Sequence, residues 1–198
     1  KTNGIEASLT RSIIKLIKKD SNVIDIGANY GFISIVCAKY VKNGGGLVYS
    51  FECDERYFEN LQSSIKDNNL NNTKLFLEFV GEKNDNTTKS VDSLLFGQCK
   101  KIDLIKIDTD GTDLKCLIGC EKILKAFHPI IVIEINNNFD EITKFLLKVG
   151  YQFFYNQHLK EIDITEKNDI PNLFTSKYQL MIWKDSKLDF FNCNDNII

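Results

Sequence analysis

Several things are scarce or missing in this chain, and each shortage closes off a class of function. No apolar run approaches the roughly 20 residues of a membrane-spanning helix, and no leader pattern opens the sequence. No basic stretch stands out either. Lysines are scattered along the whole chain and the net charge is −2, whereas a nucleic-acid groove needs a concentrated basic face. The six cysteines make no C-x-x-C pair, and no histidine stands near Cys116 and Cys120 to complete a zinc site. They read as reduced, mostly buried thiols in a reducing compartment, which points to a cytoplasmic protein. Methionine occurs once, at Met181, and the first residue is Lys1, as expected of a trimmed chain, a processed product or one domain of something longer. Arginine is confined to Arg11 and Arg56 amid abundant Lys, Asn and Ile, the usage of an AT-rich genome such as that of a low-GC bacterium or a large DNA virus. No internal repeat is visible.

What is present suits one globular α/β domain over residues 1–198: a 43% hydrophobic fraction and eleven glycines. The organising stretch is Val23-Ile24-Asp25-Ile26-Gly27-Ala28-Asn29-Tyr30-Gly31. Its apolar start reads as a buried parallel strand, and the following residues 32–40 read as a helix. The turn between them carries Gly27 and Gly31, with Asp25 at its mouth. Such a turn brings backbone N–H groups up to a ligand. A dinucleotide loop would read G-x-G-x-x-G; this one reads Asp-x-Gly-x-x-x-Gly, which fits an S-adenosylmethionine loop better. Asp25, Gly27, Ala28, Asn29, Tyr30 and Gly31 are therefore cofactor candidates. A second strand ends in Glu52 about two dozen residues on, where a carboxylate can accept both ribose hydroxyls.

Along the chain, residues 8–19 predict a helix that covers the sheet within an N-terminal segment 1–20. Residues 54–69 predict another, with Asp54 as its N-cap. Strands are expected over 74–80, 102–108, 130–135, 151–155 and 178–183, and helices over 112–127 and 141–149. The second of these strands ends in Asp108, at the sheet edge that holds Gly27 and Glu52 and hence also a cofactor-binding candidate. Asp110 and Asp113 lie just beyond; Asp113 suits helix capping, which cannot account for all three acids. Glu134 ends the next strand on the same sheet edge. His128 falls at the opposite edge and reads as structural. Residues 156–177 are expected to form a loop over the active edge; it holds His158, the one histidine placed to act as a base. Residues 185–198 form a polar tail.

The segments Asp25 to Gly31, Phe51-Glu52-Cys53-Asp54, Ser90 to Leu95, Ile102 to Gly111 and Pro129 to Glu134 resemble, in order and spacing, the FkbM-type family of S-adenosylmethionine-dependent O-methyltransferases. Two departures are visible: Cys53 stands where the family usually has Pro, and Thr109-Asp110-Gly111-Thr112-Asp113 stands for Val-Glu-Gly-x-Glu. Both carboxylates of that motif are shorter by a methylene, while the charge pattern survives. The resemblance implies a Rossmann-like class I fold: a seven-stranded, mostly parallel sheet with an antiparallel last-inserted strand and helices on both faces. It implies further cofactor contacts from Glu6 beside the first helix, from Cys53, and from Gly81 and Glu82 after the third strand. It also implies a hydroxyl acceptor on a small molecule, sugar or glycan.

Methyl transfer to oxygen requires alignment, exclusion of water and removal of a proton. Asp108, Asp110, Glu134 or His158 would take that proton, and the three carboxylates would alternatively ligate Mg²⁺. Two rival readings are a catalytically degenerate cofactor-binding scaffold of a larger glycan-processing protein and an NAD-dependent oxidoreductase.

Overall fold

The computed structural model describes residues 5–136, 138–165 and 170–180. Five strands run parallel: β1 (Val23–Ile26), β2 (Val48–Glu52), β3 (Thr73–Leu77), β4 (Leu104–Ile107) and β5 (Ile130–Glu134). β6 (Phe153–Tyr155) and β7 (Asn172–Ser176) complete a seven-stranded sheet in the order β3-β2-β1-β4-β5-β7-β6, with β7 antiparallel to both neighbours. This is the Rossmann-like class I methyltransferase fold. β1, β2 and β4 are buried at every position, which is why they read as near-continuous apolar runs.

The period of two along each strand divides the core. Ile24, Phe51 and Ile105 face α4 (Val91–Leu95), α5 (Asp113–Ile118), α6 (Glu121–Phe127) and α7 (Phe139–Lys148). Val23, Val48 and Leu104 face α1 (Ile5–Leu16), α2 (Phe32–Val41) and α3 (Glu55–Asp67). On this second face the sheet carries one polar row, Ser50–Asp25–Lys106, in direct register across β2, β1 and β4. Ser34 of α2 closes it from above, its hydroxyl donating to Asp25 at 2.5 Å and lying 2.8 Å from Ser50 Oγ.

Two expectations about elements need correction. The seventh strand is Asn172–Ser176, not residues 178–183: Tyr178 is 65% exposed, and residues 181–183 lie outside the described residues, as does the 185–198 tail. Asn-Leu-Phe-Thr-Ser forms a fully buried strand, its Asn172 end paired with β5 and its Ser176 end with β6, and Thr175 Oγ1 donates to the Phe153 carbonyl. The single helix expected over 112–127 is two helices, α5 and α6. A Cβ at Gly119 would meet the Gly81 carbonyl oxygen at 2.1 Å, so the backbones cross there and the helix restarts. Asp92 of α4 supplies the cap for α6, accepting from Lys122 N at 2.7 Å and Ile123 N at 3.0 Å. Cys116 and Cys120 therefore do not share one helix face. Asp54 caps α3 as expected, through Arg56 N. Among the described residues no helix is long and apolar enough to cross a membrane.

Candidate active site

A cleft of about 760 Å³ opens at the C-terminal ends of β1, β2 and β4, the edge where such sheets bind ligands. Its floor is the β1–α2 turn. Gly27 has φ 74° and Gly31 φ 87°, and a Cβ on Gly27 would lie 1.8 Å from the Asp108 carbonyl oxygen, so only glycine lets the two chain segments touch. Asn29 also takes a left-handed φ of 53°. Gly27, Ala28, Asn29 and Tyr30 line the cleft, and Gly31 starts α2 just behind it.

Glu52 ends β2 in the wall of the cleft, only 7% exposed. Its carboxylate accepts from Asn29 N at 2.8 Å, Cys53 N at 2.8 Å and Asp54 N at 2.9 Å. The acid that is expected to hold a ribose thus also pins the glycine turn to the end of β2. Cys53 lines the cleft beside it; burial, then the Glu52 charge, pushes its thiol up and keeps it protonated.

Asp25 lies elsewhere. It is fully buried beneath the turn, with Oδ1 3.2 Å from Lys106 Nζ, and does not reach the cleft. Lys106 was not singled out from the sequence, although a lysine inside a fully buried strand demands a partner. Its ammonium donates to the Gly27 carbonyl at 2.8 Å and lies 3.8 Å from Asp108 Oδ2. Burial alone would lower its pKa, but the Asp25 and Asp108 charges hold it above the ordinary lysine value.

Beyond β4 the chain turns through Asp110, at φ 50°, and Gly111. Asp113, fully buried, holds this turn by accepting from Thr109 N at 2.8 Å, Thr109 Oγ1 at 3.0 Å and Gly111 N at 3.1 Å. Asp108 and Asp110 line the cleft, and Glu134 at the end of β5 brings its carboxylate within 4.8 Å of both. Burial first, and then the neighbouring Asp108 charge, raise the Glu134 pKa, while Asn136 Nδ2 donates to it at 3.0 Å.

Other expected residues fall outside. Gly81 packs against Gly119 and Glu82 lies on another depression; the β3 end contributes Glu78, Phe79 and Val80 to the cleft instead. His158 is exposed, tied through its backbone N–H to Asn156 Oδ1, and does not line the cleft. Glu6 belongs to the first turn of α1, and its side chain is outside what the structure describes. His128 caps α6 at the far edge, 2.9 Å from Lys177 Nζ, as its structural reading requires.

Residues 65–153 match the family model described as the methyltransferase FkbM domain. That stretch of the chain is thus similar to the methyltransferase FkbM domain. Among solved structures, the FkbM methyltransferase of Methylobacillus flagellatus superposes with a TM-score of 0.65 at 16% identity, over 81% of this chain. The chain spans 45% of that protein's length. An rRNA methylase from Streptococcus thermophilus matches over 91% of this chain and 99% of its own, at 16% identity and a TM-score of 0.59. A Streptococcus mutans protein in complex with SAH matches over 87% and 96%, at 16% identity and a TM-score of 0.58. At such identities the likeness is one of fold. No curated protein matches the sequence.

Proposed function

We propose that the domain is an S-adenosylmethionine-dependent methyltransferase acting on a hydroxyl, most simply that of a sugar or glycan. The observation that carries this reading is one cleft lined by both the Glu52-pinned glycine turn and the Asp108–Asp110 pair, with Glu134 alongside. When bound, S-adenosylmethionine supplies a methyl group on a sulfonium that needs no acid to depart. The turn from Gly27 to Tyr30 lets that ligand approach closely rather than offering it free N–H groups, since its backbone N–H groups already donate to the Phe51 carbonyl, Glu52 and Asn29 Oδ1. Glu52 keeps a lone pair on Oε2 for a ribose hydroxyl. Asp108, Asp110 or Glu134 takes the acceptor's proton; the raised pKa of Glu134 makes it the stronger base once ionised. The same three carboxylates form an all-oxygen donor set suited to Mg²⁺, which would make the acceptor hydroxyl more acidic. A cleft walled by Glu52, Asp54, Glu78, Asp108 and Asp110 repels phosphates, which favours a sugar over an RNA acceptor.

Calorimetric titration with S-adenosylhomocysteine and, separately, NAD tests the cofactor. Micromolar binding of the first alone is expected; binding of NAD alone would establish the oxidoreductase reading instead. Labelled-methyl transfer to a panel of sugars, glycans and ribosomal RNA fragments then tests the acceptor. Binding without turnover on any of them would mean a scaffold.

A further inference from the structure

The groups around Lys106 come from two separate chain segments. On one side are the Asp25 carboxylate (3.2 Å) and the Gly27 carbonyl (2.8 Å), from β1 and its turn. On the other is Asp108 (3.8 Å), from the end of β4. The Lys106 side chain is 6% exposed and lines the cleft. A buried lysine needs one counter-charge to persist, and Asp25 provides it. The donation to Gly27 is more than persistence requires. It fixes the orientation of a glycine peptide that otherwise has wide conformational freedom and, among the described hydrogen bonds, gives that carbonyl its donor. The contact also sits where Gly27 and Asp108 touch through their backbones, with Asp108 N donating to the Ile26 carbonyl at 3.1 Å.

We propose that Lys106 is a positioning residue: it bolts the cofactor-binding turn to the acid-bearing end of β4, setting the two halves of the cleft relative to each other. This rests on the methyltransferase reading for the identity of the ligand, though not for the mechanical role.

The test separates this role from simple charge neutralisation. Lys106→Met alone strands the buried Asp25 charge and should lower the melting temperature steeply. Asp25→Asn/Lys106→Met removes both charges and should recover most of that loss, because Ser34 can still bond the amide. If Lys106 positions the turn, the double variant binds S-adenosylhomocysteine about tenfold or more weakly despite its restored stability. Its amide resonances from Gly27 to Gly31 also move in the ligand-free protein. Wild-type affinity and unmoved resonances in the double variant would overturn the proposal. Should the double variant not fold, Asp25→Asn alone decides. With Lys106 still donating to Gly27, its affinity and turn resonances stay close to wild type, and a tenfold loss with displaced resonances would overturn the assignment to Lys106. If wild type itself ignores S-adenosylhomocysteine, the cofactor reading fails, and the resonances still report on Lys106.

Discussion

The Glu52 carboxylate accepts three backbone N–H groups from two loops, so its removal acts on the protein as well as on a ligand. Glu52→Ala is expected to weaken S-adenosylhomocysteine binding by about 1.5–3 kcal/mol, roughly ten- to a hundredfold, through the lost ribose contact. It should also lower the melting temperature as Asn29, Cys53 and Asp54 lose their acceptor. Calorimetry beside thermal unfolding checks both; unchanged affinity would remove Glu52 from the ribose site. At this scale Gly27 and Glu52 were legible because their chemistry is local: a turn that excludes a Cβ and a carboxylate at a strand end. Asp25 was misplaced toward the ligand because the alternation that turns it under the sheet, onto Lys106, is set by pairing with β4, about 80 residues away.

Elements show where the reading by pattern ended. Helix α6 begins on a cap lent by Asp92 and ends on His128, which adopts φ 51° beside Lys177. Both are tertiary arrangements that no helical periodicity announces, and so the 112–127 region reads as one helix. Burial, then the Lys177 charge, hold the His128 pKa below its ordinary 6.5. The unfolded chain therefore binds that proton more tightly than the fold does. The stability His128 contributes is present above the unfolded value and is lost as pH falls through 6.5 toward the folded one. His128→Asn tolerates the left-handed backbone and removes the titration. Between about pH 7.5 and pH 5 the variant should lose less melting temperature than wild type; equal losses would assign the acid sensitivity to other groups. Strand β7 escaped notice for a related reason, since Asn172 and Ser176 look like loop residues until two neighbouring strands bury them.

For the whole molecule, the buried parallel strands were legible as apolar runs, the arrangement of the sheet was implied by the FkbM resemblance, and Asp108, Asp110 and Glu134 were expected at its ligand-binding edge. What the sequence could not supply is their mutual distance, which depends on β4 and β5 being neighbours in register. Because Asp110 takes no part in the hydrogen bonds of the Glu52 clamp, binding and chemistry should separate. Asp110→Asn is expected to keep S-adenosylhomocysteine affinity within about twofold while lowering turnover by about 10²-fold or more. Wild-type turnover would make the end of β4 structural.

The insertion of β7 between β5 and β6 also fixes an order of events at birth. Strands β1 to β5 can align as they emerge from the ribosome, but the open side of β5 waits for Asn172–Ser176, and β6 has nothing to pair with until the same segment arrives. A nascent chain that stalls before that point presents an unpaired, apolar strand edge to its surroundings. The segment that seals the sheet is also the one whose sequence least resembles a strand.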